Sequence, residues 1–230
     1  MEAAREREHE VMAFTSTLPD PGTTDIPMVR VPSVILPLQK NYRIALPGYR
    51  LFSSSLSRFK PDLLHINSPC TLGFAAMRFG REFGVPTVAT YHTHFPAYAR
   101  YYHLSGLEEL TWKLSRYLYN NVDRTFVPTR PILSELTEHD IRNLAYLPNG
   151  VDLKLFNPSF RSEAWRARYT PSDRPAVLFV SRLVWEKDLR ILAGAYERLR
   201  QRRSDFEMII VGEGHARREF EAMMPGAHFL

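Results

Sequence analysis

Ala176-Val-Leu-Phe-Val-Ser-Arg-Leu-Val-Trp-Glu-Lys187 is the stretch that decides the fold. Its first five residues form an apolar run of strand length. After Lys187 the apolar residues Leu189, Leu192, Ala193, Tyr196 and Leu199 return at helical spacing. The reading is a buried strand, a short turn and a crossover helix. Open α/β sheets gather ligands at the carboxyl ends of their strands, where a helix N-terminus adds unpaired N–H groups and the positive end of its dipole. Arg182 and Lys187 stand at that mouth, so the pair is expected to hold a diphosphate. A solvated charge pair on a loop is the alternative.

Two further motifs flank this one. Leu147-Pro-Asn-Gly-Val-Asp152 is followed by Phe156-Asn-Pro158, and Val211-Gly-Glu-Gly214 follows the next apolar run. In this order the three resemble the retaining, GT-B-fold glycosyltransferases of family 4. There an Asn-Gly-Val-Asp turn precedes the second of two Rossmann-like domains. A Gly-Arg-Leu-x-x-Glu-Lys-Gly element follows that domain's first strand, and a Gly-Asp/Glu-Gly turn follows the next. Here Ser181 replaces the first Gly and Asp188 the last, while Arg182, Leu183, Glu186 and Lys187 keep the pattern. The resemblance implies that Arg182 and Lys187 bind the donor diphosphate, with Gly212, Gly214 and Glu186 as further donor-side residues. Residue chemistry leaves simpler accounts open for those three. Glu186 also suits a helix N-terminus, and the glycines also suit a turn that needs positive φ.

At 230 residues and 44% hydrophobic content the chain has room for one large domain or two small ones. No apolar run approaches the ~20 residues that span a bilayer, and Met1-Glu-Ala-Ala-Arg-Glu-Arg-Glu8 is too charged for a secretory signal. A cytoplasmic location is the expectation. The single cysteine, Cys70, excludes an internal disulfide and offers no zinc cluster. A net charge of +5, carried mainly by arginine along the whole chain, favours anionic partners. A nucleotide-sugar and an anionic membrane surface both fit. Nucleic acid is not expected, because the sequence has no helix-turn-helix pattern, zinc spacing or RNA-binding aromatic box.

Apolar strand-like runs alternate with amphipathic helical segments, the pattern of a parallel sheet flanked by helices. Val11 to Phe14, Met28 to Val31, Asp62 to Ile66, Thr87 to Tyr91, Thr125 to Val127 and Ala145 to Leu147 are the strand candidates of the first half, and Phe206 to Val211 follows in the second. Three helical stripes are expected to face the core: Phe52, Leu56 and Phe59; Leu72, Ala76, Phe79 and Phe83; and Leu107, Leu110, Leu114 and Tyr117 over Gly106 to Asn120. A doubly wound domain opens with a strand and a glycine-rich turn, whereas this chain opens with a charged helix, Met1 to His9, and reaches Phe229-Leu230 where another strand should begin. The expected architecture is therefore α/β of GT-B type, truncated at both ends. Residues 1–150 would form an N-terminal Rossmann-like, acceptor-side domain without its first strand. Residues 151–230 would begin a C-terminal Rossmann-like domain that binds the nucleotide-sugar.

Ala89-Thr-Tyr-His-Thr-His-Phe-Pro-Ala-Tyr98 is the second informative stretch. Its strand delivers His92 and His94 to a carboxyl end, and an extended backbone would turn both rings to one side. A ligand site, two solvated imidazoles, or two metal ligands lacking a third remain open on the residues alone. The stretch resembles the Thr-Tyr-His-Thr-x-x-x-x-Tyr segment of the family's glycolipid-forming members, such as sulfoquinovosyldiacylglycerol synthase and the bacterial diacylglycerol-glycolipid hexosyltransferases. That resemblance implies that His92 is the active-site histidine touching the donor sugar near its reacting carbon, with His94 and Tyr98 on the acceptor side. Asp62-Leu-Leu-His-Ile-Asn-Ser-Pro69 is similar to another strand end of the family. His65 there is expected to be structural, bonded to a carbonyl, with Asn67 and Ser68 at the tip as further candidates. The segment Phe95 to His103, rich in aromatics and containing Arg100, is expected to meet anionic lipid.

The resemblance implies retaining transfer of a hexose from a nucleoside-diphosphate sugar to a membrane lipid or glycolipid. The Asp-x-Asp motif of metal-dependent glycosyltransferases is absent from the sequence, so no metal and no other cofactor is expected. The family's Glu-x7-Glu pair would fall after Leu230. A non-catalytic binding or interaction module derived from such an enzyme is therefore the alternative from a different class.

Overall fold

The computed structural model describes residues 2–17, 26–36, 39–46, 48–97, 105–170 and 174–230. The chain divides into two compact units, Met1–Asn149 and Gly150–Leu230.

The first unit is built on a four-stranded parallel sheet. β5 (Leu64–Ile66), β6 (Thr87–Thr90), β7 (Arg124–Val127) and β8 (Leu144–Tyr146) lie side by side in chain order. Helices make the crossovers: α3 (Thr71–Phe83) joins β5 to β6, α4 (Ser105–Tyr119) joins β6 to β7, and α5 (Arg130–Glu138) joins β7 to β8. Small residues let α3 approach the sheet. A Cβ on Gly80 would strike the Thr87 hydroxyl, and one on Gly73 would strike the Ser68 carbonyl oxygen, so larger residues there would push the helix away. Thr129 caps α5 by accepting from the Ile132 amide, and Pro131 sits in the first turn, where no donor is missed. Preceding these elements are α1 (Glu2–Arg5), a parallel pair β1 (Ala13–Ser16) and β2 (Met28–Val31), a hairpin β3 (Ser33–Leu36) and β4 (Gln39–Ala45), and α2 (Tyr49–Phe59).

Three expectations need correction here, and one element is additional. The opening helix is one turn, Glu2–Arg5, rather than Met1 to His9. The β3–β4 hairpin is antiparallel and was not foreseen, because no Asn-Gly or Asp-Gly turn marks it. In α4 the stripe Leu107, Leu110, Leu114 and Tyr117 is exposed, at 44–53%. The buried face is instead Trp112, Ser115, Leu118 and Tyr119, because the larger rings of Trp112 and Tyr119 fill the core against the sheet. In α3, Phe83 is likewise exposed, while Phe79 is buried. Thermal or urea unfolding tests the assignment of the α4 face. Leu118→Ala is expected to cost about 3 kcal/mol through the cavity it leaves, and Leu110→Ala less than about 0.5 kcal/mol.

The second unit contains β9 (Ala176–Val180), β10 (Glu207–Val211) and β11 (His228–Phe229), parallel and in the order β11-β10-β9. Between them run α7 (Leu189–Arg202) and α8 (Arg217–Met223), and α6 (Glu163–Arg166) precedes β9. Leu183, Leu189, Ala193, Tyr196, Met208, Ile210 and Phe220 form the core. β9 was expected to be buried. It is the edge strand of its sheet, and only Phe179 packs on the core while Val177, Leu178 and Val180 are exposed. The Asn-Gly-Val-Asp and Phe-Asn-Pro motifs are turn chemistry. The Asp152 carboxylate accepts from the amides of Lys154 and Leu155, and the Asn157 side chain accepts from the Ser159 amide. Among the described residues no helix is long and apolar enough to cross a membrane.

Candidate active site

In the first unit the carboxyl ends of β5 and β6 carry the histidines. β6 stops at Thr90, although the Tyr91 amide still donates to the Phe126 carbonyl, and residues 95–97 are already helical. The ladder of β6 thus ends before either histidine, and the two rings have different surroundings. His92 is exposed at the strand end. His94 turns inward: its Nε2 lies 3.0 and 3.1 Å from the two carboxylate oxygens of Glu135 on α5, and its Nδ1 lies 3.2 Å from the Tyr91 hydroxyl. The ring expected on the acceptor side thus has a carboxylate partner 41 residues away in the sequence. Tyr98, Arg100, Tyr101, Tyr102 and His103 lie outside the described residues.

His65 does not bond a carbonyl. Its Nε2 lies 2.7 Å from the Thr90 hydroxyl, at the end of the neighbouring strand. Although His65 is exposed on one side of its strand, partial burial lowers its pKa, and the charge of His92 lowers it further. His65 is thereby held on the neutral side. Burial raises the pKa of the Tyr91 hydroxyl, and the Glu135 carboxylate adds to that, so Tyr91 stays a protonated donor.

In the second unit Arg182 and Lys187 stand in the connection between β9 and α7, both exposed, with the Arg182 side chain 65% accessible. Glu186 is not on the first turn of the helix. It lies in the 3-10 turn Trp185–Lys187, its side chain is only 7% accessible, and it sits 3.7 Å from the Arg182 guanidinium. Buried carboxylates are retained where they are paired, and this one faces the arginine. Asp188 replaces the glycine of the related motif and takes the left-handed conformation (φ 54°) between the 3-10 turn and α7, which explains why glycine suits that place.

Gly212 and Gly214 serve packing of backbone on backbone. A Cβ on Gly212 would strike the Ser181 carbonyl oxygen, and one on Gly214 the Leu183 carbonyl oxygen. The Val211-Gly-Glu-Gly214 turn is thereby clamped to the 181–183 segment. The Leu183 amide donates to the Glu213 carbonyl at 2.8 Å, and the Ala216 amide donates to the Leu183 carbonyl at 3.0 Å. These glycines hold the loop that displays Arg182. Among the described residues no group of three or more His, Cys, Asp or Glu side chains is placed to hold a metal ion.

Glu135 and Thr90 were not legible as partners of the histidines. Glu135 belongs to an ordinary amphipathic helix, and its pairing with His94 is purely tertiary.

Comparison with known proteins gives the family. Residues 1–155 match the model of Glycosyltransferase Family 4, and residues 161–227 match that of Glycosyl transferases group 1. A GDP-mannose-dependent alpha-mannosyltransferase of Corynebacterium glutamicum is 35% identical over 203 residues, covering 88% of this chain and 48% of its own length. Sulfoquinovosyl transferase SQD2 of Arabidopsis thaliana is 33% identical, covering 75% and 34%. The chain thus spans from a third to about three-fifths of the length of curated relatives at this level of identity. Sucrose-phosphate synthase from Thermosynechococcus elongatus shares the fold with a TM-score of 0.73 at 20% identity, covering all of this chain and 62% of that one. With the family model matching residues 1–155, the parallel α/β units and the ordered motifs, the chain belongs to glycosyltransferase family 4.

Proposed function

We propose that the protein is a retaining glycosyltransferase that moves a hexose-type sugar from a nucleoside-diphosphate donor to a membrane lipid or glycolipid. The observation that carries the proposal is the exposed pair Arg182 and Lys187 on the β9–α7 connection, with Arg182 faced by the buried Glu186. In a retaining transfer the nucleotide leaves from the face on which the acceptor arrives, so negative charge grows on the departing diphosphate as the sugar–oxygen bond lengthens. Arg182 offers a planar fork of donors to two phosphate oxygens, and Lys187 offers a compact charge that follows the leaving oxygen. These cations serve the leaving group without a metal. His92 would touch the donor sugar near its reacting carbon, the role implied by the resemblance of its motif. A relative named for GDP-mannose supports a nucleotide-sugar donor, and relatives named as alpha-monoglucosyldiacylglycerol synthases support a lipid acceptor. A cytoplasmic, peripheral place on an anionic membrane belongs to the same proposal, with the chain's net charge of +5 in its favour.

Calorimetric titration of the chain with GDP, guanosine, UDP and uridine tests the diphosphate assignment. Arg182→Ala and Lys187→Ala are each expected to weaken the bound diphosphate by about 1.5–3 kcal/mol, the worth of a charge-assisted contact, and to leave nucleoside binding unchanged. Equal losses for nucleoside and diphosphate would show that the cations do not meet the phosphates.

A further inference from the structure

His92 projects from a segment that is anchored on both flanks. On one side the Thr90 hydroxyl is bonded to His65 at 2.7 Å. On the other, His94 is fixed by partners that leave its ring a single neutral form. The Ala97 amide can only donate, and its nitrogen is 3.4 Å from Nδ1, so Nδ1 must accept. The Tyr91 hydroxyl is 3.2 Å from the same nitrogen and, being buried and protonated, donates to it as well. Nε2 must then carry the hydrogen, which it gives to Glu135. The edge of the ring meets Trp112 at 5.8 Å, and Trp112 itself is buried and stacked on His139 at 3.6 Å. The turn from Tyr91 to Ala97 is thereby tied to α5 through one carboxylate and to α4 through one indole.

We infer that Glu135, acting through His94, is a positioning residue that sets the conformation of the 91–97 turn and so the placement of the His92 imidazole. Glu135 and His94 are 31% and 22% accessible, so the pair contributes little to folding. Its effect lies in geometry, where a displacement of about 1 Å of a reacting group can cost about 10²-fold in rate. The functional weight of the inference rests on the proposed role of His92, while its structural part stands apart from that role.

The experiment uses the full chain with ring-¹⁵N-labelled histidine, observed by long-range ¹H–¹⁵N correlation at a pH where the rings are neutral. His94 in the wild type is expected to show the Nε2–H tautomer. Glu135→Gln, whose amide oxygen still accepts from Nε2–H, should keep that tautomer and leave the His92 ring signals in place. Glu135→Ala should give His94 mixed tautomers and shift or broaden the His92 signals, with the melting temperature nearly unchanged. In parallel, sugar release from GDP-mannose or UDP-glucose is measured, using whichever donor the wild type turns over. Glu135→Ala should lower kcat about 10–100-fold with donor KM held within about threefold, and Glu135→Gln should restore it. Unmoved His92 signals in Glu135→Ala would overturn the inference whatever the kinetics. His92→Ala is the control that separates the two claims. If His92→Ala keeps turnover, the proposed role of His92 fails, and the spectra still decide whether Glu135 positions the turn.

Discussion

His92→Ala is expected to lower sugar transfer by on the order of 10²–10³-fold, as removal of one preorganised stabilising group does, while nucleotide-sugar affinity stays within a few fold. The argument begins with its position. His92 leaves the carboxyl end of β6, beside the end of β5, which is where parallel sheets present ligands. Its ring is exposed, so truncation removes little packing, and the folding cost of a surface substitution is within about 0.5 kcal/mol. A loss of turnover therefore reads on chemistry and not on folding. A group that meets developing charge near the reacting carbon contributes more in the transition state than in the ground state, so kcat should fall and KM should not. Steady-state turnover beside calorimetric binding of the same nucleotide-sugar measures both. Near-native turnover would make His92 a structural residue.

Much of this architecture could be read from local pattern, and the misses share a physical cause. β2 and β9 appear at their expected residues, and β5, β6, β7, β8 and β10 within two residues, because short apolar runs bounded by Pro, Gly and polar residues have few other readings. Burial was harder to read. Leu107, Leu110, Leu114 and Tyr117 satisfy helical periodicity as well as Trp112, Ser115 and Leu118 do, and only the position of the sheet decides which face it covers. β9 has a buried strand's composition but an edge strand's place. In the candidate site, spacing located His92, Arg182 and Lys187 at the ends of their elements. It gave no sign that His94 would turn from its neighbour toward Glu135, nor that Glu186 would be buried against Arg182. Those pairings depend on side chains brought together by the fold, and a periodicity argument carries no information about them.

The glycine turn beside the Arg182 loop is where the largest loss of stability is expected. Gly212→Ala should destabilise the second unit by about 4 kcal/mol, combining about 1–3 kcal/mol for overpacking with about 1–3 kcal/mol for a strained backbone. Both terms follow from the geometry. Gly212 has φ of 145°, a region that side-chain-bearing residues rarely enter, and its Cβ would meet the Ser181 carbonyl oxygen, a backbone atom that cannot swing aside. To admit the methyl group, the 212–214 turn must withdraw from residues 181–183. That withdrawal breaks the bonds from the Ser181 amide to the Val211 carbonyl and from the Leu183 amide to the Glu213 carbonyl. For a domain of this size a loss of about 4 kcal/mol lowers the melting temperature by roughly 15–30 °C. Hydrogen exchange locates the damage: the amides of Ser181, Leu183 and Ala216 should lose protection first, while those of β6 and β7 in the other unit keep theirs. Because Arg182 lies inside the segment that moves, GDP binding should weaken even at temperatures where Gly212→Ala remains folded. Full protection at Ser181 and Leu183 together with wild-type GDP affinity would show that the turn tolerates a side chain, and that the two glycines are not what holds the loop.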